Sequence, residues 1–212
     1  MKTRFPDAPP EIARLPVEER GFPVPYFVTW IDGRPEFRGV DPDHVADADR
    51  RGVCWVCGGK LPGLKCFVVG PMCTVNRLSA EPPSHPSCSR FAAVACPFLS
   101  RPQAKRRDMG DIPHAPPAGI MLDHNPGVTA LWLTRSYRSE RYRAGLLFRL
   151  GPPVAVEWFT EGRRATRSEA LAGYRAGLPR LIELSDFEGR EARDDLAGKL
   201  RRARKWLPVR EG

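Results

Sequence analysis

All six cysteines of this 212-residue chain fall between positions 54 and 96. The stretch opens with Cys54-Trp-Val-Cys57-Gly-Gly and later carries His85-Pro-Ser-Cys88, ahead of Cys96. A C-x2-C turn followed by an H-x2-C pair is the spacing of metal ligands. The tight turn aims two thiolates at one ion, and the glycine after it takes backbone angles that other residues avoid. Ligands at the start of a helix gain further, because free N–H groups in the first turn favour thiolate charge. The cluster therefore predicts a structural Zn2+ ion closed by four ligands, Cys54, Cys57, His85 and Cys88. Cys73 or Cys96 could replace His85 and give an all-thiolate site. Two rival readings stand beside it. One is reduced cysteines packed as small hydrophobes. The other is an iron–sulfur cluster on Cys54, Cys57, Cys88 and Cys96.

A knuckle, a hairpin and two ligands at a helix N-terminus follow one another in a treble-clef finger, and residues 54–96 resemble that class. The gap from Cys57 to His85 is long for a compact finger, so the hairpin must be expanded. A wider set of segments resembles an uncharacterised family of proteins from GC-rich bacteria and their phages. These are Cys54-Trp-Val-Cys57-Gly, Gly70-Pro-Met-Cys73, Glu81-Pro-Pro-Ser-His85, Ala95-Cys-Pro-Phe-Leu99, Pro126-Gly127, Trp158 and Glu161-Gly-Arg-Arg-Ala-Thr166. That resemblance implies one integrated unit and carries no activity.

No run of about 18 apolar residues exists, and the N-terminus lacks the apolar stretch of a signal peptide. A cytoplasmic location, without a membrane partner, is the expectation, and thiols stay reduced there. The net charge is +9. Residues 51–117 hold nine basic and three acidic groups, whereas residues 1–50 hold seven and ten. The cysteine region is thus the basic one. Only six of the 34 basic residues are lysine. Arginine suits bidentate contact with phosphate, although GC-rich codon usage produces the same bias.

The pattern predicts an α+β fold, a treble-clef-like zinc unit packed with a small antiparallel sheet and a few helices. Residues 1–25 read as a Pro-rich extended arm, and 26–99 as a hairpin plus the zinc-binding unit. Residues 100–119 read as a basic linker, 120–182 as antiparallel strands plus a helix, and 183–212 as a basic amphipathic helix. Asp32-Gly33 marks a hairpin turn. Gly70-Pro71 suggests a second one within 66–76. After Cys88 a short helix is expected to face Phe91, Val94 and Ala95 to one side and to stop at Pro97. Val128–Arg135, Leu146–Arg149 and Val154–Phe159 read as three successive strands. Thr166 and Glu169 form a capping box, opening a helix expected to stop near Gly177 and Pro179.

Composition favours a non-enzymatic, zinc-dependent nucleic-acid-binding protein. The candidate contacts are Lys60, Lys65, Arg77, Arg90, Arg101, Lys105, Arg106 and Arg107, with Trp55 and Phe67 offered as stacking faces. The alternative partner is a protein, in an adaptor role, with the acidic arm docking on it or folding across the basic face. A metal-dependent nuclease of the His-Asn-His type would draw on Asn76, Glu81, His85, Asp123, His124 and Asn125. His85 cannot both bind zinc and act as base.

Overall fold

Thr129-Ala-Leu-Trp-Leu-Thr134 has no polar side chain to spare between its two threonines, so as a strand it must be covered on both faces. That strand is the centre of the protein. The computed structural model describes residues 2–40, 42–101, 126–142 and 145–209. Among them the helices are α1 (Pro10–Ala13), α2 (Pro42–Arg51), α3 (Pro71–Asn76), α4 (Pro86–Ala95), α5 (Pro97–Ser100), α6 (Arg167–Glu188) and α7 (Arg190–Ala203). The strands are β1 (Val28–Ile31), β2 (Arg34–Val40), β3 (Lys65–Val69), β4 (Leu78–Ser79), β5 (Thr129–Thr134), β6 (Tyr137–Tyr142), β7 (Gly145–Leu150), β8 (Pro153–Thr160) and β9 (Arg163–Arg164). All strand pairs among the described residues are antiparallel, so the fold is mixed α+β with several antiparallel sheets.

The largest sheet runs β3-β5-β8-β9 and a second runs β4-β7-β6. Every residue of β5 is buried. Its period-2 alternation sends Ala130 and Trp132 into the main core with Phe67, Val69, Phe148 and Tyr174. Leu131 and Leu133 point the other way, against Ala93 of α4 and Cys66. The metal-ligand region thus covers one face of the sheet, and α3, α6 and α7 cover the other. Each large side chain buried here contributes about 1.5–3 kcal/mol relative to exposure.

Several expectations are corrected. Residues 66–76 do not form a hairpin: β3 pairs with β5 instead. Pro71 opens α3, where its fixed φ and missing N–H cost nothing. The α3 helix ends at Arg77, which is left-handed at φ 55°. The expected set of three successive strands lacked β6, whose Tyr-Arg-Ser-Glu-Arg-Tyr carries little apolar signal. It is the partner of β7, while β8 pairs with β5. As expected, the helix after Cys88 stops before Pro97, which in turn opens α5. On α4 the buried residues are Cys88, Ser89 and Ala93, whereas Val94 is exposed. The arm expected to be extended carries α1, and Ile12 and Val24 within it are buried.

The hairpin β1–β2 turns at Asp32 (φ 48°) and Gly33 (φ 74°), as Asp-Gly demands. The capping box is present in full: Thr166 accepts from the Glu169 N–H, and the Glu169 carboxylate accepts from the Thr166 N–H. The helix it opens runs through Gly177 and Pro179 to Glu188. Pro179 leaves only the carbonyl of exposed Arg175 without an intrahelical donor, and water can serve there. Gly177 is a contact residue rather than a stop, because a Cβ there would lie 2.6 Å from Met72 Cγ. One turn earlier, a Cβ on Gly173 would lie 2.3 Å from Val128 and 3.1 Å from Pro71. The two glycines let α6 approach α3 closely. The expected single C-terminal helix is broken at Gly189, φ 100°, which turns α6 into α7.

Gly173→Ala should therefore destabilise the protein by about 1–3 kcal/mol through overpacking. An unhindered helical glycine would show the opposite sign, a gain of about 1 kcal/mol from helix propensity. Urea unfolding of the two proteins decides the sign, and a stabilised Gly173→Ala variant would refute the close α3–α6 approach.

Candidate metal centre

The knuckle forms because its backbone closes on itself. The Cys54 carbonyl accepts from Gly58 at 2.8 Å, and the Cys54 N–H donates to the Gly59 carbonyl at 2.7 Å. Gly58 sits at φ 69°, and a Cβ there would lie 3.0 Å from the Tyr26 ring. Both its angle and its neighbour exclude a side chain. Next to it, the Cys66 and Ser84 backbones exchange two hydrogen bonds, 2.9 and 2.8 Å. These are the two arms of the expanded hairpin that the ligand gap requires, with α3 inserted between them. Ser84 delivers the chain to His85, the N-cap of α4, and Cys88 lies in the first turn of that helix.

The four side chains Cys54, Cys57, His85 and Cys88 converge, with one ligand atom from each lying within 4.8 Å of all the others. His85 Nδ1 is 3.3 Å from Cys57 Sγ and 3.7 Å from Cys88 Sγ. Tetrahedral zinc, with Zn–S near 2.3 Å, spaces its sulfurs about 3.8 Å apart, so the cluster is the right size for such an ion. The histidine is also the right tautomer. Its Nε2 lies 2.9 Å from the Lys60 carbonyl, which can only accept, so Nε2 carries the proton and Nδ1 turns its lone pair to the sulfurs. Cys54 and Cys88 are fully buried.

Charge within the cluster is in conflict. Hydrogen bonds from the Cys57 and Cys88 thiols hold Cys54 well below the ordinary thiol range, assisted by the backbone N–H groups of Cys57 and His85. Contact with Cys54 and then with Cys57 pushes Cys88 far up, and contact with Cys54 pushes Cys57 up against a lowering by Cys88. One sulfur ionises at the expense of the other two. A divalent cation removes that conflict, since it favours all three thiolates at once. The donor set could therefore hold a metal such as zinc.

The other cysteines stand apart from this group. Cys66 is buried on β3, and burial pushes its thiol up to about 12. Cys73 lies on α3 against the main core. Cys96 follows α4 eight residues after Cys88, a helical rise of about 12 Å, so it cannot join an iron–sulfur cluster with Cys54, Cys57 and Cys88. Neither alternate ligand reaches the site.

The N-terminal segment seals the cluster. Ile12 packs with Cys54, Val56 and Cys88, and Phe5 meets Phe91 of α4 edge to face at 5.2 Å. Nothing in the spacing of residues 1–25 beyond isolated Phe5 and Ile12 signalled that cover.

Both residues offered as stacking faces are buried: Trp55 packs on Phe27 at 5.1 Å, and Phe67 lies in the main core. Each completes a hydrophobic cluster, which the residue type alone did not distinguish from an exposed platform. Among the basic candidates, Lys60 donates to the Arg51 carbonyl at 2.9 Å and Lys65 to that of Gly63 at 3.3 Å. Arg90 forms a two-bond pair with Glu157, 2.9 and 2.6 Å. Arg77 bonds the Leu150 carbonyl at 2.9 Å, and Arg101 is exposed. Lys105, Arg106, Arg107, Asp123, His124 and Asn125 lie outside the described residues. No described helix is long and apolar enough to cross a membrane.

Elemental analysis should find about one zinc per chain, and a chelator should abolish cooperative unfolding. Cys88→Ser should lose the metal, whereas Cys96→Ser should keep it. Every ligand must be deprotonated to bind, so acid should release the metal progressively between about pH 7 and pH 5. A metal-free protein that unfolds cooperatively would overturn the assignment.

Comparisons with protein-family models, curated proteins and solved structures find no match to this chain.

Proposed function

We propose that the chain is a zinc-stabilised, non-enzymatic protein that binds nucleic acid. The observation that carries this reading is the basic end of α7 and the 3-10 turn Arg204–Trp206 after it. Arg201, Arg202, Arg204 and Lys205 are exposed, and among the described residues no ion pair engages any of them. Earlier in the same helix Arg190, Arg193 and Lys199 are each matched by Asp194, Asp186 and Asp195. Four cations left unmatched at one end concentrate positive potential there, and arginine and lysine attract phosphate by charge.

The metal cluster supports a structural role for the ion. Four protein ligands complete a tetrahedron and leave no position for substrate. His85 has both ring nitrogens engaged, so it is not free to activate water for the nuclease alternative. A protein-binding adaptor is favoured by one feature, the hairpin β1–β2, on which Trp30 is 49% and Phe37 40% exposed.

Labelled single-stranded and duplex DNA and RNA provide the test. Binding should weaken roughly a thousandfold or more between about 50 and 200 mM salt if six or more phosphates are contacted. Absence of binding to all four probes at low salt would sink this reading. In that event, loss of a captured protein on Trp30→Asp would favour the adaptor.

A further inference from the structure

The strand β6 ends its sheet, which runs β4-β7-β6, so among the described residues one of its edges has no strand beside it. The bonds of β7 decide which backbone groups face that way. The Leu150 N–H donates to the Arg77 carbonyl at 2.8 Å, away from β6, whereas the Gly151 N–H donates to the Ser136 carbonyl at 3.0 Å. Successive residues of an antiparallel strand turn their N–H and C=O groups to alternate sides. Tyr137 stands opposite Leu150, and Arg138 opposite Arg149. Arg138, Glu140 and Tyr142 therefore bond β7, while the backbone groups of Tyr137, Ser139 and Arg141 point outward. No described residue outside the strand bonds these three backbones.

An open edge is a template for another strand. This one has no proline, no lysine and no register shift against β7. Arg138, Ser139, Arg141 and Tyr142 are exposed. Two copies pair here only where outward residues meet outward residues, so a register setting Tyr137 against Tyr142 and Arg138 against Arg141 is excluded. Centring the pair on Arg138 opposes two arginines, and centring it on Glu140 opposes two carboxylates. Centring it on Ser139 opposes no like charges. In that register Arg141 of each copy lies across from Tyr137 of the other, on the same face. The Tyr137 hydroxyl donates to Asp49 at 3.2 Å, and the arginines that follow Asp49, Arg50 and Arg51, are spent on Asp47. Among the described residues neither Arg141 nor Asp49 has an ion pair, so each copy offers a cation and a carboxylate to the other.

We propose that β6 pairs with β6 of a second copy of this chain, antiparallel about a two-fold axis at Ser139, joining two three-stranded sheets into one. Nothing in this pairing depends on nucleic-acid binding. Main-chain bonds from Tyr137, Ser139 and Arg141 hold the two strands, and the Arg141–Asp49 contacts fix the register. A single strand edge is a small interface, so the dimer should be reversible rather than obligate.

Sedimentation equilibrium of the full-length protein across a concentration series is the test. The natural protein should move from the mass of one chain towards that of two. Ser139→Pro removes an N–H that β7 does not use, so the chain should still fold while the dimer is lost. Arg141→Glu sets a carboxylate near Asp49 twice per dimer and should raise the dissociation constant about tenfold or more. Arg180→Gln, on α6 and paired with Glu183, should leave it unchanged. Ser139→Cys should form an intermolecular disulfide on mild oxidation, because partners at the axis lie about 5.5 Å apart at Cα. Arg141→Cys should not exceed the background of the natural protein, since the two copies of residue 141 are about 13 Å apart. A natural protein that stays at the mass of one chain up to about 1 mM overturns the proposal. So does a dimer that Arg141→Glu leaves as tight as before, or one in which Ser139→Cys links no better than Arg141→Cys. Those two results decide the matter even where Ser139→Pro fails to fold.

Discussion

Three thiols and an imidazole brought within 4.8 Å of one another are the constraint around which the rest of the molecule is arranged. Sulfurs at that distance resist simultaneous ionisation, and a cation among them would favour all three thiolates at once. The helix that supplies two of the donors does a second task. Two of the four donors, His85 and Cys88, sit at the cap and first turn of α4, while Ala93 one turn later packs on Leu131 and Leu133 of β5. Arg90 on the same helix ties it to Glu157 of β8. Placing the donors therefore places the helix, and placing the helix covers one face of the central strand.

The opposite face is covered by a different device. Gly173 and Gly177 strip one stripe of α6 to the backbone, and α3 moves in until Pro71 and Met72 fill the space. Tyr174, between them on the same helix, hydrogen-bonds with Thr74 of α3. Thr74 spends its own proton on the Pro71 carbonyl, so the tyrosine is the donor. Close packing and one buried polar contact together fix where α3 ends. The end of α3 is Arg77, so its bonds to the Leu150 backbone follow from the packing of the core beneath it.

Charge is where linear order and spatial order diverge most. Counted along the chain, the basic surplus belongs to the cysteine region. Among the described residues Lys60, Lys65 and Arg90 spend donors on carbonyls and on Glu157, whereas cations without an ion pair collect at the end of α7. Aromatic residues follow the same rule. Trp55 and Phe67 neighbour the knuckle in sequence but complete hydrophobic clusters, whereas Trp30 on a hairpin tip stays exposed. A side chain's type sets what it can do, and its neighbours in three dimensions decide whether it remains available.

The sequence by itself determined the features set by short-range geometry. The Cys54–Cys57 knuckle with Gly58, the Asp32-Gly33 turn, the Thr166–Glu169 box and the strand character of Thr129–Thr134 all depend on residues within a few positions of one another. The candidate quartet was legible for the same reason, since His85 and Cys88 share one helical turn, whereas Cys73 and Cys96 stayed open as alternates until the fold set them apart. Tertiary structure alone decided the features that depend on partners far away. Pro71 opened a helix because β3 found β5 rather than a hairpin mate. Gly177 and Pro179 stayed helical because Met72 and solvent met their needs. Arg77 reached the Leu150 carbonyl only when the end of α3 packed beside β7. Local bonding is written in spacing, whereas the cost or benefit of a residue that depends on burial and long-range charge is settled only when the chain has closed around it.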